Sequence, residues 1–283
     1  MHKEIADFYD YIRPRDFEER IRNEVIADLN KQLRSDLRDA AVYPFGSFPS
    51  GLYLPTGDMD LALLSDQYRN GKYGKYNTKN ALYRVKKLVI RTGRAFEDDV
   101  DVIAHAKVPL VKYVDSYTGL KIDISFENTT GIQAIKTFTA WKEQYPAMPV
   151  LVTLIKHFLC MRGLNEPVNG GIGGFSVICL VVSMLQLMPQ VQSGNMDTRH
   201  HLGELLMEFF DLYGNRFDYR TTAICLHPPK YIPKVSVSQP LLSVYLLTIY
   251  PIIAQGYILR LQEPRAPVHH WPQQPRERHL GRI

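Results

Sequence analysis

The stretch FGSFPSGLYLPTGDMDLALLS, residues 45–65, joins a Gly-Ser pair to two carboxylates within one short segment. Side chains alternate between the faces of a β-strand, so Asp58 and Asp60 are predicted to share one face. Met59 and Leu61 then point to the opposite face, into a core. Two carboxylates held close together repel each other unless a cation neutralises them. The stretch therefore predicts a strand that begins with a cation-binding pair of acids.

A third acid on a neighbouring strand would complete such a site. Asp123 lies in the apolar frame KIDIS, within a predicted strand over residues 120–126. Ligand sets made only of oxygen favour Mg²⁺ or Mn²⁺, whereas Zn²⁺ favours His or Cys. Two such ions, about 3.5–4 Å apart, support in-line phosphoryl transfer. Asp58, Asp60 and Asp123 are therefore predicted to be metal ligands and catalytic acids.

The Gly-Ser pair is a candidate phosphate cradle. Gly46 allows close approach of the backbone, and Ser47 adds a hydroxyl to the N–H groups that we expect at a helix N-terminus. Taken alone, each feature has a simpler interpretation, since a D-x-D pair is often a surface turn and Asp123 could be an edge-strand acid facing water. The order of strand, Gly-Ser, ten intervening residues, two alternating acids and a later strand acid favours metal-dependent nucleotidyl transfer.

The rest of the sequence indicates an α+β chain. Its 283 residues are 45% hydrophobic and 22% charged, which is typical of globular proteins. The net charge of +5 is compatible with a nucleic-acid partner but does not require one. Hydrophobic periodicity predicts helices over residues 14–37, 79–91, 132–141, 148–161, 175–188 and 202–213. It predicts strands over residues 41–45, 58–64, 100–113 (broken at Pro109) and 120–126. Residues 67–78 are predicted to form a loop.

The C-terminal segment has an unusual composition. Residues 235–259 contain no charged side chain and approach the about 20 apolar residues that span a bilayer. Two prolines, two glutamines and many β-forming residues favour buried strands or an irregular tail over a membrane span at residues 241–259. Residues 260–283 have the proline and charge content of a disordered tail. We therefore expect no membrane association and a divergent or disordered segment over residues 235–283.

These motifs resemble the DNA polymerase β-like nucleotidyltransferase superfamily, and more closely the nuclear poly(A) polymerases of the topoisomerase-related-function (Trf) branch in TRAMP-type complexes. The stretches that carry the resemblance cover roughly residues 2–220 and are HKEIADFYDYIRP, FGSFPSGLYLPTGDMDL, AKVPLVKYVDSYTGLKIDISFEN, LIKHFLCMRGLNEPVNGGIGGFS and LLMEFFDLYG. The resemblance implies a catalytic domain inserted into a helical central domain. It divides the chain into a helical segment that packs with the central domain (1–37), the catalytic domain (38–131), the helical central domain (132–234) and the tail (235–283).

The resemblance also implies roles for individual residues. Asp58, Asp60 and Asp123 match the metal-binding and catalytic acids of the family. The residues that match its nucleotide-contacting positions are Gly46, Ser47, Gly131, Lys156, Gly174 and Phe175. Without the resemblance, Lys156 would be interpreted as a lysine whose stem packs on an apolar helix.

The chain departs from the family pattern at three places. Thr130-Gly131 stands where relatives often have Asn-Gly, which is expected to weaken a ribose contact. Gly174-Phe175 stands where many relatives have Ser-Tyr, so Phe175 can stack on a base but both hydroxyls are absent. After Lys234, the family segment that returns to the nucleotide pocket and helps to select the base is not recognised. ATP selectivity therefore stays open, with terminal uridylyl transfer and a catalytically impaired binding subunit as alternatives.

The function that the resemblance implies is addition of AMP from ATP to RNA 3′ ends in nuclear RNA surveillance. The RNA 3′-hydroxyl would attack the α-phosphate of ATP, and pyrophosphate would leave. The implied partners are RNA 3′ ends, a zinc-knuckle RNA-binding protein and a DExH helicase. The implied location is the nucleus or nucleolus.

Overall fold

The structure is a computed structural model and describes residues 1–106 and 108–234. The helices are α1 (His2–Ile12), α2 (Asp16–Asp36), α3 (Asp66–Arg69), α4 (Lys79–Arg91), α5 (Thr130–Gln144), α6 (Met148–Cys160), α7 (Gly174–Leu187), α8 (Pro189–Gln192) and α9 (Leu202–Asp211). The strands are β1 (Ala40–Phe45), β2 (Met59–Ser65), β3 (Val100–Ile103), β4 (Leu110–Val114), β5 (Lys121–Phe126), β6 (Thr222–Leu226) and β7 (Pro229–Pro233).

Strands β1 to β5 form one mixed sheet in the order β1-β2-β5-β4-β3. The central pair, β2 and β5, is parallel, and the other pairs are antiparallel. One face of the sheet packs on α2 and α4 and contributes the buried Met59, Leu61, Ile122 and Ile124 to their shared core. The prediction that Met59 and Leu61 point into a core is confirmed. Because side chains alternate along each strand, the acids between these residues lie on the opposite face.

The helical part of the chain packs around α7. Ten consecutive residues of this helix, from Val177 to Gln186, are buried, as expected for a helix that is apolar on all sides. Helices α1, α5, α6 and α9 share one apolar cluster with it, and the hairpin of β6 and β7 packs on the same helix. Leu52, from the turn after β1, is also buried in this cluster. The segment after β1 therefore reaches from the sheet into the helical core.

The two N-terminal helices belong to different cores. Helix α1 packs on α6 and α9, whereas α2 packs on β1 and α4. The expectation from the sequence is that residues 1–37 pack with the helical part; α2 departs from it by packing on the sheet. The physical reason is the apolar stripe of α2, which covers the sheet with Val25, Leu29 and Leu33. The sheet thus lies in sequence between two stretches of the helical part.

Other differences from the sequence prediction are local. Helix α1 and the hairpin of β6 and β7 were not predicted, and the predicted loop at residues 67–78 begins inside the short α3. Gly46 and Ser47 lead into successive turns over residues 46–51, so the expected helix N-terminus at this pair is wrong. Within the described residues, no helix is long and apolar enough to cross a membrane. The predicted tail at residues 235–283 and the considered span at residues 241–259 lie outside the described residues.

Candidate active site

A row of charged side chains crosses the sheet at one register position. Asp60 on β2 pairs with Asp123 on the parallel β5, and Phe45 at the end of β1 lies on the other side of Asp60. The row continues from Asp123 to Lys112 on β4 and then to Asp101 on β3. Residues at one register position project from the same face of a sheet. Two of the three predicted acids are therefore neighbours, and Asp58 immediately precedes β2.

Asp60 is the most strongly perturbed acid of this row. Burial, followed by the negative charges of Asp123 and Asp58, raises its pKa from the ordinary value of 3.8 to about 7. Gly46 has a φ of +72°, and a Cβ atom at that position would lie 2.4 Å from the Asp60 carboxylate. Glycine is therefore required there both by the backbone conformation and by the close approach of this carboxylate. The Gly-Ser pair and the acid row form one site.

Asp123 is neutralised by a neighbouring lysine. Its Oδ2 lies 2.6 Å from Nζ of Lys112, the residue opposite on β4. Burial raises the pKa of Asp123, and the Lys112 ammonium opposes that rise. Burial also disfavours the charge of Lys112, but the hydrogen bond and attraction of Asp123 outweigh it and raise the Lys112 pKa. No group of three or more acidic, His or Cys side chains is already gathered at metal-binding distances within residues 1–106 and 108–234.

Two lysines from the helical part hold the turn of residues 46–52. Lys142 on α5 donates from Nζ to the carbonyl of Ser50 at 2.7 Å. Lys156 on α6 donates from Nζ to the carbonyl of Leu52 at 2.8 Å. Burial lowers the pKa of Lys156 to about 8, and the attraction of the Asp60 carboxylate opposes this effect. The predicted phosphate lysine is thus close enough to sense the acid row, and it also supports the turn.

The next part of the loop, which leads to Asp58, is held from α2. Arg22 is only 1% exposed and donates to the carbonyls of Pro55 and Gly57, each at 3.2 Å. Its guanidinium also lies 4.5 Å from the centre of the Tyr53 ring. This part of the loop is therefore fixed by a buried cation that bonds its backbone directly.

Gly131 serves close packing between α5 and the end of β1. A Cβ atom at Gly131 would lie 2.2 Å from the ring of Phe45, which is shorter than any real carbon contact. Phe45 pairs in register with Asp60. Gly131 therefore lies beside the acid row, and its predicted contact with a nucleotide stays a prediction.

Gly174 and Phe175 are the first two residues of α7, which begins next to Lys156. A Cβ atom at Gly174 would lie 3.1 Å from Cε of Lys156, so a small residue leaves room for the lysine stem. The ring of Phe175 is 5.4 Å from that of Phe138 and is packed against the helical core. Gly174 thus packs against Lys156, whereas Phe175 takes part in core packing. The predicted nucleotide contacts of both residues stay predictions.

Three residues of the site were missed by the sequence reasoning. Arg22 lies on the apolar stripe of α2, and a charged residue on a buried stripe is a signal that could have identified it. Lys112 could have been found from the alternation of β4 once its pairing with β5 was known. Lys142 carries no comparable signal, because its contact is with a backbone carbonyl remote in sequence.

The donor set fits a divalent cation of the Mg²⁺ type. It consists of carboxylates only. Burial and then the repulsion from Asp123 and Asp58 raise the pKa of Asp60, and a bound cation would relieve that repulsion. Asp58 and Asp60 are separated by one residue, and Asp60 is in register with Asp123. The mixed sheet, the acid row and the adjoining Gly-Ser turn define a polymerase β-like nucleotidyltransferase fold.

Comparisons with known proteins assign the chain to one family within this class. The family described as poly(A) RNA polymerase, mitochondrial-like, central palm domain, matches residues 1–143. The chain belongs to this family of poly(A) RNA polymerases. The description Cid1 family poly A polymerase matches residues 201–249. The prediction that the family pattern ends at Lys234 is therefore wrong for residues 235–249.

Individual relatives agree with this assignment. Poly(A) RNA polymerase protein 2 of Saccharomyces cerevisiae is 38% identical over 250 residues, which cover 87% of this chain and 41% of the relative. The chain thus spans less than half of that protein. An inactive non-canonical poly(A) RNA polymerase, Trf4-2 of Drosophila melanogaster, is 32% identical over 77% of this chain and 52% of its own length.

Solved structures agree as well. The polymerase core of TRAMP, an RNA surveillance complex, has a TM-score of 0.74 and 38% identity, and the match covers 84% of this chain and 72% of that one. The Cid1 poly(U) polymerase bound to MgATP has a TM-score of 0.68 over 84% of this chain and 81% of that one, but only 21% identity, so it supports the fold alone.

Proposed function

We propose that the chain adds AMP from ATP to the 3′-hydroxyl of RNA in a metal-dependent reaction. The observation that carries this proposal is the register of Asp60 and Asp123 on adjacent parallel strands, with Gly46 against the Asp60 carboxylate. Membership of the poly(A) RNA polymerase family supports the choice of reaction. The similarity to the TRAMP polymerase core supports RNA as the acceptor.

Asp58, Asp60 and Asp123 would hold Mg²⁺ or Mn²⁺. When bound, such ions lower the pKa of an attacking hydroxyl and neutralise charge on the phosphates. The donor set of three carboxylates, all oxygen, supports the choice of these ions. Before binding, Asp60 is partly protonated near neutral pH, because its pKa is about 7. Its proton must therefore leave when the site fills.

The remaining predicted residues are proposed to bind the nucleotide. The backbone of Gly46 and the hydroxyl of Ser47 would contact the triphosphate beside the acids. Lys156 would supply a positive charge from α6, and its hydrogen bond to the Leu52 carbonyl keeps it at the same turn. Gly131, Gly174 and Phe175 are proposed to contact the base and ribose from the helical part.

The cellular role is proposed from the same family. The similarity to the TRAMP polymerase core supports a role in RNA surveillance. We propose that the chain acts on RNA 3′ ends in the nucleus, with a zinc-knuckle RNA-binding protein and a DExH helicase as partners. The division into residues 1–37, 38–131, 132–234 and 235–283 is proposed with one change. The packing of α2 on the sheet moves the start of the catalytic domain to about residue 16.

The test is extension of a labelled RNA by the full 283-residue chain, with each nucleotide supplied in turn. We expect Mg²⁺-dependent addition of A, lost in Asp58→Ala, Asp60→Ala and Asp123→Ala. Asp98→Ala, which changes an exposed acid outside the row, is the matched control. Retained activity in the three variants would overturn the proposal. Preferential addition of U would identify a uridylyltransferase, and no extension by the folded chain would identify an inactive subunit like the Drosophila relative.

A further inference from the structure

Lys112 stands between two acids on the sheet. On one side its Nζ is 2.6 Å from Oδ2 of Asp123. On the other side the residue directly opposite, on β3, is Asp101. Asp101 is exposed and forms no ion pair with any residue in the described part of the chain. Lys112 thus forms an ion pair with Asp123, whereas Asp101, at the same register position on its other side, is unpaired in the described part of the chain.

We propose that Lys112 is a positioning residue that takes the place of the metal at Asp123 and moves to Asp101 when the metal binds. The inference rests on the proposed metal site. In the metal-free protein, Lys112 neutralises Asp123 and holds its carboxylate on the β4 side. When a divalent cation arrives, Asp123 joins Asp58 and Asp60, and Lys112 is released.

The geometry provides a short path for this exchange. Residues directly opposite each other on antiparallel strands have Cβ atoms about 4.5–5.5 Å apart, so Lys112 can reach Asp101 by changing side-chain rotamers alone. The Lys112 side chain is 42% exposed and has room to move, whereas Asp123 is only 19% exposed. The strands need not shift.

The charges explain why the second partner matters. A lysine that stayed beside Asp123 would repel an incoming divalent cation. Without a second carboxylate nearby, release from Asp123 would leave the lysine charge unpaired. The charges that act on Lys112 are those of Asp123, Asp58 and Glu166, the last from the loop between α6 and α7. All three are acidic, so they hold the lysine near the site unless another carboxylate is available. Asp101 is that carboxylate.

The test is a double-mutant cycle on the affinity for Mn²⁺ alone, measured by electron paramagnetic resonance of the free ion at pH 8 without nucleotide. The full chain is compared with Lys112→Met, Asp101→Asn and the double variant, and circular dichroism checks that each is folded. Lys121→Met is the matched control. It removes a lysine from the same face of β5, two residues from Asp123 and opposite Val114, without breaking an ion pair to the acid row.

We expect Lys112→Met to bind Mn²⁺ more tightly than the full chain, and by a larger factor than Lys121→Met. We expect Asp101→Asn to weaken Mn²⁺ binding roughly two- to fivefold, the effect of losing a partly exposed ion pair. In the Lys112→Met background, the same Asp101 substitution should change the affinity by less than about 1.5-fold, since screened long-range charge is all that remains. That non-additivity is the signature of exchange.

Equal effects of Asp101→Asn in both backgrounds would overturn the inference, as would weaker or unchanged binding in Lys112→Met. RNA extension is measured separately with the same proteins. Non-additive Mn²⁺ binding without RNA extension would support the exchange and refute the proposed reaction. Additive binding in a protein that extends RNA would refute the exchange alone. Absence of Mn²⁺ binding in every variant would overturn both the metal site and the exchange.

Discussion

Asp60→Asn should stabilise the metal-free protein while abolishing its activity. The ionised carboxylate of Asp60 is buried beside Asp123 and Asp58, and these conditions raise its pKa from 3.8 to about 7. The folded state therefore holds a proton at Asp60 that the unfolded chain has already released. Asparagine is neutral and similar in shape to the protonated carboxyl, so it removes the electrostatic cost but also the proposed metal ligand.

The magnitude follows from the difference in pKa between the two states. Each pKa unit is worth about 1.4 kcal/mol, so the rise from 3.8 to about 7 costs the folded protein at most about 4 kcal/mol once Asp60 is ionised. A raised pKa means that stability is present below pH 4 and is lost as pH rises to 7. At pH 5 the cost has reached only about 1.5 kcal/mol. The advantage of Asp60→Asn should therefore grow by about 2–3 kcal/mol between pH 5 and pH 8.

The assay is urea unfolding followed by circular dichroism, in the presence of EDTA, at pH 5 and pH 8. Asp98→Asn is the control, because it removes an exposed carboxylate outside the acid row. Saturating Mg²⁺ should narrow the gap at pH 8, since it stabilises the wild-type protein by binding and leaves the variant largely unaffected. A gap that is the same at both pH values, or a less stable variant at pH 8, would refute the electrostatic account of Asp60.

Three further predictions concern the turn beside the acid row. Gly46→Ala should lose about 1–3 kcal/mol more stability than Gly71→Ala in urea unfolding. Both glycines have positive φ, but only at Gly46 does a carboxylate occupy the space of the new Cβ. Equal losses would contradict the steric argument. Arg22→Met should cost about 2–3 kcal/mol in the same assay, since it orphans two backbone carbonyls, and it should reduce kcat for RNA extension. Lys156→Met should move the acid-side midpoint of the extension pH profile upwards, because the lysine charge lowers the pKa of Asp60. An unchanged midpoint would assign Lys156 to phosphate contact alone.

Most of the sheet could be predicted because its information is local. The alternation of Met59, Asp60 and Leu61 indicates a strand with one buried face, and the same pattern around Asp123 indicates its neighbour. Two such strands, each with an acid on the outer face, are therefore expected to be neighbours in the sheet. The predicted helix at residues 79–91 coincides with α4, and its capping threonine and buried stripe lie next to one another in sequence.

What the sequence did not predict depends on contacts between distant residues. The partner of α2 could not be chosen, because the stripe of Val25, Leu29 and Leu33 would suit a helical core as well as a sheet. Gly46-Ser47 was expected at a helix N-terminus, but the next residues bend through turns that are fixed by Lys142 and Lys156 from the helices. A lysine that bonds a backbone carbonyl leaves no pattern that a single sequence can reveal.

These contacts imply that the acid row depends on both parts of the chain. The strands set the spacing of Asp60 and Asp123, but the turn that lies against Asp60 is held by two lysines from α5 and α6 and by Leu52 in the helical core. The loop that follows this turn is held by Arg22 from α2. A change in the packing of α5 or α6 would therefore move the turn relative to acids that themselves stay in place. The helical part fixes the side of the site that is proposed to hold the phosphates, while the sheet fixes the side that is proposed to hold the metal. A protein in which the two sides are held by different cores can lose activity through either core with its three acids intact.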